Sequence, residues 1–185
     1  AWRQKDFALD ASWLTGQTSI GYGDNDDLTM LGDMMSGYSS VYLRNTFNVP
    51  AGGMPDQFKL RVYVDDGAII WINGVEVARL HMAGGEIPHT GFGTSHDAAW
   101  EDVLIANPST FLTTGSNTIA IHAFNTTLGS SDFSIDVEVI DPGTEGLIGA
   151  PTPGEQNSVF AANAAPQIRQ VRHTVDTPAA GQANI

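Results

Sequence analysis

The stretch Tyr63-Val64-Asp65-Asp66-Gly67-Ala68-Ile69-Ile70-Trp71-Ile72-Asn73-Gly74-Val75-Glu76-Val77-Ala78-Arg79 constrains the fold more than any other part of the chain. Two turn signals, Asp-Asp-Gly and Asn-Gly, punctuate runs of Val, Ile and aromatic residues. Asn and Gly tolerate the left-handed backbone of a two-residue type I′ turn, so Asn73-Gly74 predicts a β-hairpin. Ala68 to Ile72 is apolar almost throughout, which predicts a strand covered on both faces and places Trp71 in the core. Asp65-Asp66-Gly67 predicts a tight turn into that strand. The whole stretch reads as the spine of an antiparallel β-domain.

The flanking sequence extends the pattern. In Ser40 to Val49, Val41, Leu43, Asn45, Phe47 and Val49 share one face and Tyr42, Arg44 and Thr46 the other, and Pro50 stops the strand. Phe58, Leu60, Val62 and Val64 alternate with Lys59, Arg61 and Tyr63, one face core and one wetter, as in an antiparallel sheet. Thr118 to Phe124 and Asp132 to Ile140 add strands, the second with Phe133, Ile135, Val137 and Val139 inward and Asp136 and Glu138 outward. Phe7, Trp13, Ile20 and Tyr22 are expected to pin an irregular N-terminal arm, and Met30 to Tyr38 reads as loop. His81 to Trp100 has no clear periodicity and reads as a long functional loop or an obscured strand pair, with Trp100 and Val103-Leu104-Ile105 returning to the core. Six to eight strands, few helical signals and closely spaced turns predict an all-β antiparallel β-sandwich over residues 1–140.

Composition changes at Asp141. Residues 141–165 hold Pro142-Gly143, Gly146, Gly149 and Pro151-Thr-Pro153-Gly154, which is linker text. Within 166–185, Gln167 to His173 alternates like one strand. A single strand cannot bury its own face, so this segment is either an added edge strand or the start of a following domain.

The chain has 185 residues, room for one ordinary domain and a short extra segment. Its net charge of −13 repels phosphate backbones, which excludes nucleic acid as a partner. The acidity serves solubility or gathers carboxylates around Ca²⁺. Asp24, Asp26 and Asp27, with Asn25 between them, are the candidate metal ligands for a structural Ca²⁺; the alternative is a solvated acidic turn, and the offsets do not fit an EF-hand. No cysteine is present, so disulfides, thiolate metal sites and a Cys nucleophile are excluded. No apolar run is long enough for a membrane span, so no membrane insertion is expected. Ala1-Trp2-Arg3-Gln4-Lys5 is no signal peptide, and the chain is expected to begin after a removed leader or upstream region.

Trp13…Gly16…Ile20-Gly21-Tyr22-Gly23-Asp24, Val41-Tyr42-Leu43-Arg44…Phe47-Asn48-Val49, the Asp65 to Arg79 block, Gly115-Ser116-Asn117-Thr118-Ile119-Ala120 and Ser130-Ser131-Asp132-Phe133-Ser134 follow one another in an order that resembles a known module. It is the galactose-binding-domain-like jelly roll of large secreted or surface multidomain bacterial proteins, often found beside lamin-tail-like or immunoglobulin-like domains. The strand, Asn-Gly turn and Gly-x-Asn return are also similar to the sugar-binding jelly roll of β-galactosidase-type hydrolases. The resemblance implies a jelly-roll β-sandwich, a secreted or cell-surface location, a noncatalytic role, and neighbouring domains of a larger chain as partners. One departure stands out: His122-Ala123-Phe124-Asn125 occupies the place where such modules carry an acidic residue followed by a His-Gln pair.

Enzyme signatures are missing. There is no Gly-x-Ser-x-Gly elbow, no His-Glu-x-x-His and no phosphate loop. His81, His89 and His96 match no metal motif by spacing and read as surface-loop residues. Sugar recognition needs an apolar face for the C–H side of a pyranose and polar groups for its hydroxyls. The candidate ligand-binding residues are Asp65, Asp66, Arg79, His81, His89, Trp100 and Tyr38, and the expected ligand is a polysaccharide or oligosaccharide. For Asp65-Asp66 the competing reading is a turn whose carboxylates cap backbone amides. Two functions follow: a carbohydrate-binding module tethering a larger protein, or a structural spacer or protein-interaction domain without a small ligand.

Overall fold

The computed structural model describes residues 2–140 and 171–175. Strands β1 (Leu14–Gly16), β11 (Val171–Val175), β4 (Ser40–Val49), β9 (Gly115–Phe124), β6 (Gly67–Ile72) and β7 (Val75–Leu80) form, in that spatial order, a six-stranded sheet. A five-stranded sheet is ordered β3 (Thr29–Met30), β2 (Ile20–Tyr22), β10 (Phe133–Ile140), β5 (Phe58–Asp65) and β8 (Ala99–Ile105). All pairings are antiparallel except the short β2–β3 contact. From β3 to β10 the chain passes repeatedly from one sheet to the other, the route of a jelly-roll sandwich.

The alternating residues account for the layers. Val41, Leu43, Phe47 and Val49 of β4, Phe58 to Val64 at every second position of β5, and Phe133, Ile135, Val137 and Val139 of β10 meet in the main core. Ile70 and Ile72 of β6 join them. Ile69 and Trp71 point the other way, into a second cluster with Ala120 and Phe124, against which Trp2, Met82 and Ile87 pack. Trp71 is thus buried, as expected, but on the outside of the six-stranded sheet.

The N-terminal arm makes that outer face a buried layer. The ring of Trp2 lies 4.6 Å from Tyr42 and 5.7 Å from Trp71, and the guanidinium of Arg3 sits 4.2 Å over Trp71. Buried Arg44 donates to the carbonyls of Trp2 at 2.6 Å and Lys5 at 3.2 Å, holding the arm down.

The Asn73-Gly74 turn joins β6 to β7 with both residues at positive φ, 50° and 87°, as a type I′ hairpin requires. Asn73 also docks the turn: its Nδ2 donates to Phe111 O and Asn117 Oδ1, and its Oδ1 accepts from the Thr118 amide. Asp65-Asp66-Gly67, by contrast, does not make a hairpin; it carries the chain from the five-stranded sheet into the six-stranded one. The return after the long loop also differs from expectation. β8 is an edge strand, so Val103 and Ile105 pack on the core while Trp100 and Leu104 face solvent.

Strand β11 lies inside the sheet, with Arg172 opposite both Thr15 of β1 and Arg44 of β4. It has a neighbour on each side rather than standing at an edge. The linker expected over 141–165 lies outside the described residues, as do 166–170 and 176–185.

Candidate functional site

Cross-strand register builds the outer face of the five-stranded sheet. Asp136, Tyr63 and Trp100 form one row across β10, β5 and β8; Glu138, Arg61 and Asp102 form the next; Ile140, Lys59 and Leu104 the third. The Tyr63 and Trp100 rings stand 5.4 Å apart at 48°, and the Arg61 guanidinium lies 5.1 Å from the Trp100 ring. Lys59 pairs with Asp102 at 2.8 Å, and Arg61 approaches the same carboxylate at 3.8 Å. Trp100 is 42% exposed. The acidic turn follows β2, beyond β10 from the aromatic pair, and the Tyr63 hydroxyl is raised above its usual range, first by burial and then by the charges of Asp26, Asp24, Asp27 and Asp65. The face therefore has an aromatic centre, a basic corner in which Lys59 and Arg61 share the Asp102 carboxylate, and an acidic rim.

The other expected ligand residues do not converge on one surface. Tyr38 is buried in the main core and donates to Asp33 Oδ1 at 2.8 Å, so it offers no platform. Asp66 is buried and accepts from the His96 amide at 2.9 Å and the Thr126 amide at 2.5 Å, which is the amide-capping role weighed against ligand binding. Asp65 is 6% exposed, and burial, reinforced by Asp66 and Asp132, pushes its carboxyl up to about 7. Arg79 is committed to Glu76 through two bonds of 2.7 and 2.8 Å and to the Ala83 carbonyl. His89 uses its carbonyl to accept from the Ser39 and Ser40 hydroxyls, pinning the loop after β7. Trp100 alone of the set presents an exposed ring on a sheet face.

Sequence reasoning passed over Tyr63 as a ligand residue, although the alternation of β5 had already placed it beside Lys59 and Arg61 on the wetter face. It also passed over Glu101, which carries no motif. His122, at the point of departure from the resembling modules, is a structural residue: burial, then the charges of Arg3 and His89, push its imidazole down to about 3, and its Nε2 meets Ser40 Oγ at 2.9 Å. Asn125 is likewise internal, donating to the Tyr22 hydroxyl at 2.9 Å and to Asp132 O.

In the Asp24 to Asp27 turn, the expected Ca²⁺ site, the three carboxylates sit in different surroundings. Asp27 turns inward, accepting from Ser134 Oγ at 2.7 Å, and burial raises its carboxyl. Asp24 and Asp26 stay exposed. Among the described residues the group of metal-ligating side chains that converges is instead His81, His96 and Glu101. Thermal melting in millimolar Ca²⁺ and in EGTA separates the two readings of the turn: a cation that binds only the folded chain raises the midpoint, and a solvated acidic turn leaves it unchanged.

The architecture is that of an antiparallel β-sandwich with one sheet face covered by the N-terminal arm and the other open around Tyr63 and Trp100. No protein-family model and no curated protein matches the sequence. Among solved structures the chain is similar to part of the β-glucuronidase from Ruminococcus gnavus. For its complex with D-glucuronic acid the identity is 22% and the TM-score 0.31, over 48% of this chain and 13% of that one. For its complex with C6-substituted uronic isofagomine the values are 17% and 0.38, over 67% and 18%. Likenesses this partial carry no residue correspondence.

Proposed function

We propose that this chain is a noncatalytic carbohydrate-binding module whose ligand lies on the outer face of the five-stranded sheet, against Trp100 and Tyr63. The observation that carries the reading is the exposed Trp100 ring, tilted against the half-buried ring of Tyr63 on the open sheet face. Such rings offer an apolar surface to the C–H side of a pyranose, and Asp102, Glu138 and the Asp24 to Asp26 rim offer acceptors for its hydroxyls. With a net charge of −13 the chain repels polyuronates, and the ligand is a neutral polysaccharide. As a binding module the chain would tether a larger secreted or cell-surface bacterial protein to that polysaccharide.

Affinity electrophoresis in gels of neutral and acidic polysaccharides tests this. Retardation is expected in at least one neutral gel, with no reducing ends released. Trp100→Ala is expected to weaken it by about tenfold or more, in keeping with loss of a central aromatic anchor. Tyr63→Ala should weaken it comparably. Because Trp100 is an exposed edge-strand residue, its alanine variant should melt near the wild-type midpoint. Migration unaltered by every polysaccharide would leave the spacer or protein-interaction reading, which one observation favours: β11 is built into the sheet between β1 and β4.

A further inference from the structure

We propose that His81, His96 and Glu101 form a binding site for a divalent first-row transition metal of the Zn²⁺ type, closing the open edge of the sandwich between β7 and β8. β7 ends the six-stranded sheet and β8 ends the five-stranded one. His81 directly follows β7, Glu101 lies in β8, and His96 comes from the loop joining them. The ligand-capable atoms of all three lie within 4.8 Å of one another. His81 Nε2 is 2.5 Å from Glu101 Oε1, His96 Nε2 is 3.7 Å from the same oxygen, and the two imidazoles stack at 3.7 Å and 16°.

Two imidazoles and one carboxylate make a donor set suited to Zn²⁺ and its neighbours rather than to Ca²⁺ or Mg²⁺, which take oxygen ligands. Three protein ligands leave a fourth position for water. The side chains remain partly exposed, at 27%, 26% and 35%, which leaves an entry path.

The surroundings hold the histidines in place. His96 Nδ1 faces the Val64 carbonyl at 3.3 Å, so the tautomer that donates there leaves Nε2 as the free donor atom for a metal. The backbone amide of His96 is fixed by Asp66 Oδ1. His81 stands at φ 52°, in the left-handed region, and its carbonyl accepts from the Thr94 amide at 2.8 Å. Asp66, which sequence reasoning placed in a sugar site, thereby acts as a support for His96.

A bound ion would link the free edges of the two sheets, and because the ligands come together only in the folded chain, its binding would stabilise the fold. The test is a Zn²⁺ titration of the metal-stripped, tag-free chain, followed by calorimetry, melting and imidazole NMR. One equivalent is expected to bind saturably. The midpoint is expected to rise by about 5 °C or more at a hundredfold excess over Kd. The ring signals of His81 and His96 are expected to move while those of His89 and His122 stay. Ca²⁺ and Mg²⁺ should have no such effect. His96→Asn keeps a donor toward Val64 but removes Nε2, and Glu101→Gln removes the charge; both are expected to weaken Zn²⁺ binding by about 10–100-fold or more. No saturable uptake, or ring shifts confined to other histidines, overturns the proposal in the unaltered chain, whatever the variants do. Undiminished affinity in both variants overturns it as well and places the ion elsewhere.

Discussion

Gly21→Ala is expected to be among the most destabilising single-methyl additions in this protein. Gly21 lies in β2 opposite Ser134 of β10. A Cβ there would stand 1.9 Å from the Phe133 carbonyl oxygen, 2.6 Å from Asp27 Oδ2 and 2.8 Å from Ser134 Cα. Two of these atoms are backbone, so relief requires the strands to separate rather than a side chain to rotate. Separation would strip β2 from the sheet and loosen Ile20 and Tyr22, which fill one end of the main core. Overpacking and loss of that end together cost on the order of 3 kcal/mol or more. Urea unfolding measures it, with Gly32→Ala as the control, since nothing lies within 4 Å of a Cβ at Gly32. Equal midpoints for the two variants would show that the β2–β10 pairing yields to the methyl group.

The second large effect is a dependence of stability on pH set by Asp65. Its carboxyl is held at about 7 in the folded chain against an ordinary value of 3.8, by burial first and by Asp66 and Asp132 next, with the Ala98 amide acting in the opposite direction. Between those two values the folded chain binds a proton that the unfolded chain has released. The contribution of this group to stability is therefore most favourable below about 4, falls as pH rises toward 7 and is flat beyond, with a total on the order of 4 kcal/mol at most. The raised carboxyl of Asp27 acts with the same sign. Asp65→Asn removes the ionisation and retains an acceptor for the Ala98 amide. It is expected to match wild type at pH 4 and exceed it at pH 8, by on the order of 2–4 kcal/mol. Urea midpoints of both proteins across this range check it; parallel curves would assign the dependence to other groups.

Much of the fold was written locally. The alternation of Phe58 to Val64 and of Phe133 to Val139 set which side chains entered the core, because side chains on a strand point to opposite faces at successive residues. Asn73-Gly74 set a hairpin because those two residues accept the positive φ the turn demands. Both depend on neighbours in sequence. The same alternation put Tyr63 on the wetter face, yet its value as a ligand residue required knowing that Trp100 would be its partner across β5 and β8.

What lay beyond the sequence was everything decided by which strands became neighbours. Asp65-Asp66 reads in the sequence either as a ligand site or as a turn whose carboxylates cap amides, and the crossing between sheets buries both residues and gives Asp66 the capping role. Trp71 was legibly interior, but only the docking of Trp2 and Arg3 made its layer a second core rather than an exposed face. His81, His96 and Glu101 have no diagnostic spacing. They meet because the edges of two different sheets come together at β7 and β8, and chain separation says nothing about that distance. Alternation and turn chemistry are properties of a few adjacent residues, so the sequence alone determined the long alternating strands, the hairpin and the sandwich class. Sites assembled from separate strands depend on pairing order and sheet closure, and the tertiary structure alone decided them.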